Sequence, residues 1–119
     1  MVRRLISFSV VVLLAVPVMA RESDDRSKSK EQVEFGIKVA QNGLWNEALY
    51  RWEKATKLDP TYAAAWNDLA IAYEHEGRFD DAKNAYEKAL ELDPKNQMIR
   101  QNYDLFKEIN DRTKRRSGK

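Results

Sequence analysis

The sequence of 119 residues contains no cysteine and a single histidine, with only three prolines and four glycines. Without cysteine the chain has no disulfide, no thiol nucleophile and no residue for a lipid anchor at a cleaved N-terminus. It also lacks a glycine-rich phosphate-binding loop and a Gly-x-Ser-x-Gly motif. These absences argue against an enzyme and give no reason to expect a cofactor.

His75 is the remaining candidate for chemistry, since it lies between Glu74 and Glu76. One histidine without a second ligand at helical spacing makes a poor metal site. Adjacent residues on a helix point in different directions, so a histidine–glutamate acid–base pair is not favoured. We therefore expect no catalytic or metal site, and we place His75 near a helix end, either in solvent or in contact with a partner.

The first twenty residues differ in composition from the rest of the chain. Two arginines precede a largely apolar stretch over residues 5–16, and Val18 and Ala20 occupy the −3 and −1 positions of a cleavage site. This pattern predicts a signal peptide over residues 1–20, and hence a periplasmic or secreted protein with no transmembrane span after cleavage. The alternative is an uncleaved membrane anchor, although the sixteen largely apolar residues from Leu5 to Ala20 fall short of the roughly 20 that span a bilayer.

The remaining sequence repeats itself at a spacing of 34 residues. The aligned pairs are Gly43 with Gly77, Ala48 with Ala82, Trp52 with Tyr86, Ala55 with Ala89, and Pro60 with Pro94. Small, aromatic and proline positions all match at one constant spacing, and this period is typical of repeats built from a pair of helices.

Apolar residues at three- and four-residue spacing predict helices over residues 30–42, 46–58, 62–76 and 80–92. Glycines at positions 43 and 77 are expected to close the first helix of each pair in the left-handed conformation. Asn46 and Asp80 are the predicted N-caps of the second helices. The Asp-Pro pairs at 59–60 and 93–94 are expected to end those helices, because the residue before proline is pushed out of helical space.

The second period carries Trp66-x-x-Leu69-Ala70-x-x-Tyr73, and this motif resembles the tetratricopeptide repeat signature. The first period resembles it more loosely, with Gln32 where the family favours tryptophan. The resemblance implies an all-α fold, a short right-handed solenoid with repeats at 29–62 and 63–96. It also implies a concave face that holds a peptide segment of a partner.

Three segments flank the two repeats. Residues 97–112 are predicted to form a capping helix, apolar toward the second repeat and polar toward solvent. Residues 21–28 carry no apolar side chain and are interpreted as a flexible leader. Residues 113–119 are interpreted as a frayed basic tail.

By resemblance, the groove is lined by the first helix of each pair and by the capping helix. The expected partner-binding residues are Val33, Ile37, Gln41, Asn67, Ile71, His75, Gln101 and Leu105. Ile37, Ile71 and Leu105 recur at the repeat spacing and predict one apolar stripe, and the alternative is that this stripe is ordinary helix packing.

Some family members use a clamp of Lys and Asn side chains for acidic chaperone tails. The matching positions here (Val33, Ile37, Asp68) lack those donors, so an apolar or helical protein segment is the expected ligand.

Two other partners are considered. A homo-oligomeric structural subunit, binding through its ends or tail, is the main alternative to a peptide scaffold. The six bases from Lys107 onward could contact nucleic acid, but no aromatic or base-reading element accompanies them, so no nucleic acid is expected. Favourable basic residues at a helix C-terminus explain them better.

Overall fold

The computed structural model describes residues 18–118, with side chains from residue 23 onward. The stretch 1–17, which holds most of the predicted signal peptide, lies outside the described residues. Over the described part the chain forms five α-helices and no strand: α1 Val18–Gln41, α2 Trp45–Leu58, α3 Ala63–His75, α4 Phe79–Leu92 and α5 Gln97–Ser117. The predicted all-α helical repeat is confirmed. None of these helices is long and apolar enough to cross a membrane.

Each helix packs against its neighbour in the chain, and α1 also contacts α3. The first helices of successive pairs therefore lie side by side, with α2 behind α1 and α3. Two apolar clusters fill the stack. One is centred on Trp52 between the first three helices, and the other on Tyr86 between the last three.

Small residues allow the paired helices to approach closely. A Cβ placed on Gly36 would overlap the indole ring of Trp52, so α1 presents bare backbone to that ring. The indole Nε1–H of Trp52 donates to the carbonyl oxygen of Val33 at 3.2 Å. In the second pair Ala70 is fully buried in the cluster around Tyr86. In the first pair, one ring against one small residue thus sets the helix spacing.

The two glycine turns adopt the predicted left-handed conformation, with φ of 78° at Gly43 and 71° at Gly77. The predicted N-caps at Asn46 and Asp80 are wrong, because α2 and α4 begin one residue before them and no side chain caps either helix. Each turn is closed by backbone bonds instead: the Leu44 amide, for example, donates to Val39 across the turn at 2.9 Å. The chain therefore re-enters the helix without a capping side chain.

The predicted flexible leader is wrong, because α1 runs through residues 21–28 and is held to the first repeat. Arg26 forms an ion pair with Asp59 and donates to the Thr61 hydroxyl at 3.0 Å. The hydroxyl of Ser29, which is fully buried, donates to the Ala55 carbonyl at 2.9 Å. These contacts join residues more than twenty-five positions apart, so the polar composition of the segment gave no sign of them.

The C-terminal predictions need two corrections. The helix α5 continues to Ser117, so the tail is helical rather than frayed up to that residue, with Arg112 ion-paired to Glu108 one turn earlier. The outer side of α5 is not wholly polar, because only Ile99, Tyr103 and Phe106 are buried against α4. The other apolar side chains of α5 are exposed, namely Met98, Leu105 and Ile109.

Replacing Gly36 by alanine tests the helix spacing. We expect Gly36→Ala to lower the free energy of unfolding by roughly 1–3 kcal/mol, because the added methyl group overpacks against Trp52. Alanine has the higher helix propensity, so propensity alone predicts the opposite sign. Urea unfolding followed by circular dichroism measures the change. The same substitution in a Trp52→Phe background should cost less, and an equal cost in both backgrounds would contradict this account.

Candidate functional site

The face shared by α1, α3 and α5 carries exposed apolar side chains at one register. Ile37 on α1 is 40% exposed and Leu105 on α5 is 57% exposed, while Ile71 on α3 is half-buried between them. We call the surface defined by these three residues the groove face. Apolar side chains that recur on neighbouring helices form a continuous patch, and such patches mark contact sites.

A cavity of about 260 Å³ opens on this face between the first three helices. We call it the groove cavity, and it is lined by Ile37, Ala40, Gln41, Trp45, Trp52, Asp68 and Ile71. Three of the residues predicted from the sequence therefore meet there. The walls are apolar except for one amide and one carboxylate.

His75 lies beside the cavity without lining it. Its ring stacks on the indole of Trp45, with ring centroids 3.4 Å apart and planes inclined by 14°. Trp45 in turn meets Trp52 edge to face at 6.3 Å. The exposed histidine thus holds the tryptophan that forms one wall of the groove cavity.

Two of the predicted groove residues are buried and do not reach the surface. Val33 is 5% exposed and belongs to the core around Trp52. Asn67 is 2% exposed, and its Oδ1 accepts from the Nδ2 of Asn102 at 3.1 Å, which ties α3 to α5. The next positions along each helix, Glu34 and Asp68, are the ones that come toward the surface, because one residue turns a helix by about 100°.

The remaining predicted residues lie on α5. Gln101 and Leu105 are both exposed, and neither lines the groove cavity. Leu105 continues the apolar stripe, because it holds on α5 the repeat position that Ile71 holds on α3. The structure therefore brings Ile37, Gln41 and Ile71 together, with His75 at the margin.

Two residues of the groove cavity were not predicted as partner-binding residues: Trp45, which forms one wall, and Asp68, which was expected only to be unsuited to a clamp. The half-buried Asp68 carboxylate has its pKa raised from 3.8 to about 6, because burial disfavours the charged form more than the hydrogen bond from Asn67 favours it. The Asn67 Nδ2 donates to Asp68 Oδ1 at 3.2 Å. The sequence contained a signal for Asp68 as a cavity residue, since it lies three residues before Ile71 and therefore on the same face of α3.

No group of three or more acidic or histidine side chains that could hold a metal ion occurs among the described residues. The arrangement provides an apolar surface with one carboxylate, which can bind a side chain but offers no convergent pair of reacting groups.

Stacked helix pairs with an exposed apolar face on their first helices are the architecture of an α-helical repeat protein. Two family models match the chain: a tetratricopeptide repeat model over residues 63–96 and a TPR repeat model over residues 39–77. Residues 39–96 thus carry tetratricopeptide repeats, which confirms the resemblance seen in the sequence.

Curated relatives share the repeat region. The chain is 31% identical over 87 residues to the Arabidopsis thaliana chloroplast protein PYG7, a tetratricopeptide repeat domain-containing protein, and this match covers 73% of the chain and 29% of that protein. It is 29% identical to the photosystem I assembly protein Ycf3 of Prochlorococcus marinus, over 95% of the chain and 66% of that protein. The chain thus spans less than two thirds of the length of these relatives.

A solved structure shows the same fold. The Arabidopsis OM64 TPR domain superimposes with a TM-score of 0.68 at 24% identity, covering 76% of this chain and 74% of that domain. The likeness supports the stacking of helix pairs described above.

The raised pKa of Asp68 predicts how stability depends on pH. Because the pKa in the folded chain, about 6, exceeds the usual 3.8, the folded state binds this proton more tightly than the unfolded state does. Ionisation of Asp68 therefore lowers stability as the pH rises from about 4 to about 6. We expect Asp68→Asn to raise the free energy of unfolding at pH 7.5 by on the order of 1–3 kcal/mol, and to have little effect at pH 3.5.

Urea unfolding at both pH values measures this difference. Glu34→Gln is the matched control, since Glu34 holds the same register one repeat earlier but is exposed. It should change stability little at either pH. A loss of stability in Asp68→Asn at pH 7.5 would contradict the assignment of Asp68 as an ionised, desolvated group without a cation.

Proposed function

We propose that the protein is a non-catalytic scaffold that holds a polypeptide segment of a partner against the groove face. The observation that carries the proposal is the groove cavity itself, which is open to solvent and is lined by Trp45 and by two isoleucines of the apolar stripe. Aromatic and apolar side chains grouped in a pocket are the usual anchors for a partner side chain.

The position of the cavity favours a polypeptide over a small molecule. It is open on one side, and its lining includes Ile37 and Ile71, whose position in the repeat is held on α5 by the exposed Leu105. Small-molecule sites usually enclose most of the ligand, whereas peptides lie along a groove and place alternate side chains in pockets. The name of the Prochlorococcus relative, an assembly protein, agrees with a scaffold role.

We also propose that the chain is exported and that residues 1–20 are removed. Cleavage after Ala20 would leave Arg26 and Ser29 in place, so the contacts that hold α1 to the first repeat would survive. The intact mass of the exported protein tests this, since it should correspond to a chain that begins at Arg21. The mass of the full chain in a membrane fraction would instead indicate an uncleaved anchor.

The peptide-binding proposal predicts that a random-peptide display library yields ligands for the protein. Ile71→Glu should weaken the binding of the retained peptides by about tenfold or more, because the contact would then bury a carboxylate. Ile37→Glu provides a second variant on a helix surface and should act in the same direction. Fluorescence polarisation of labelled peptides measures the affinities, and circular dichroism verifies folding.

Leu44→Glu is the matched control, since Leu44 is 56% exposed in the turn between α1 and α2 and does not line the groove cavity. It should leave peptide affinity unchanged. Peptides that bind equally well to the wild type and to both isoleucine variants would refute the groove as the binding site.

A further inference from the structure

The groove cavity combines apolar walls with one carboxylate. Ile37, Ile71 and Trp45 supply apolar and aromatic surface, and Asp68 places a negative charge among them. This combination matches the side chains of lysine and arginine, whose aliphatic stems pack on apolar surface while their charged ends seek an anion.

Asp68 lacks a cationic partner among the side chains that the structure describes. Among residues 23–118 no lysine, arginine or histidine lies within ion-pair distance of its carboxylate, although eight other ion pairs form in that part of the chain. Its one hydrogen bond from the described residues goes from Asn67 to Oδ1. The second oxygen, Oδ2, accepts nothing from the described residues and is not sealed from solvent, so it is open to an incoming donor.

The aromatic lining favours a cation further. The half-buried Trp45 lines the cavity that contains Asp68, whereas Trp52 is only 3% exposed, and the indole ring is the side chain whose face attracts cations most strongly. Trp45 is held in place by the stacked ring of His75. A cation in the cavity would therefore meet a carboxylate and fixed aromatic surface together.

We infer that the groove cavity receives a lysine or arginine side chain of the bound segment, with Asp68 as its counter-charge and with Trp45, Ile37 and Ile71 along its stem. This inference rests on the proposed function, since it names the chemistry of the partner held at the groove face. The occupant is a partner segment that presents a basic side chain beside an apolar one for the stripe of Ile37 and Ile71.

A small cation tests the site independently of any peptide. The probe is n-butylguanidinium, and its neutral counterpart is 1-pentanol. The indole N–H signals of the three tryptophans in ¹⁵N-labelled protein provide the readout. Trp66 serves as the internal reference, because its Nε1 donates to the Pro60 carbonyl at 2.9 Å and it does not line the cavity.

The guanidinium probe should shift the Trp45 signal saturably and leave Trp66 unchanged, and it should bind at least about fivefold more tightly than pentanol. Asp68→Asn should remove this preference, whereas Glu34→Gln should keep it. Loss of binding in Asp68→Asn cannot be ascribed to unfolding if that variant is at least as stable as the wild type. Equal binding of the cation and the alcohol would overturn the inference.

The peptides retained from the display library provide the second arm. Replacing their basic residue by norleucine should weaken binding to the wild type by about tenfold and barely change binding to Asp68→Asn. Peptides that depend on Ile71 but need no basic residue would overturn the cationic site and leave the proposed function intact. If no peptide binds the groove, the proposed function fails and the guanidinium probe alone decides the site.

A second copy of the chain could bring the basic end of α5 to the same cavity. Sedimentation would then show self-association that Asp68→Asn abolishes. That result would overturn the assignment to a separate partner segment.

Discussion

The contact between the ring of Trp52 and the backbone of Gly36 sets the geometry of the first helix pair. In the first pair the indole of Trp52 lies on the bare backbone of Gly36 and donates its N–H to the carbonyl of Val33. Tyr86 and the fully buried Ala70 belong to one cluster in the second pair. Since the first helices also contact each other, this spacing decides which residues of α1 and α3 face outward together. The apolar stripe and the cavity beneath it both depend on that alignment.

The helices and their turns could be predicted from the sequence, because the residues that begin and end a helix lie within or next to it. Gly43 and Gly77 closed the first helices as predicted, and α2 and α4 ended at Leu58 and Leu92, before the Asp-Pro pairs. The repeat spacing also identified Ile37 and Ile71 as neighbours on one face. Each of these features follows from residues within one period of the repeat.

The predictions that proved wrong concern features that depend on tertiary contacts. The polar segment before Ser29 had the composition of a flexible leader, yet it is helical, with Arg26 paired to Asp59 and Ser29 bonded to Ala55. Such pairings between distant residues leave no trace in local composition. Val33 and Asn67 were assigned to the groove although they face the interior, because a family pattern places a face only to within one residue, or about 100° of helix rotation.

Asp68 connects stability with function in this molecule. A carboxylate desolvated among apolar side chains and left without a cation opposes folding at neutral pH, as its raised pKa indicates. Residues that break a local rule of folding are expected at functional sites. The same carboxylate charge lowers the stability of the free protein and favours a basic partner side chain in the groove cavity.

The most direct test of the account is a crystal structure of the protein bound to a peptide retained from the display library. We expect the peptide to lie over Ile37 and Ile71, with one of its side chains in the groove cavity. A peptide bound to the outer faces of α2 and α4, with the cavity empty, would contradict it.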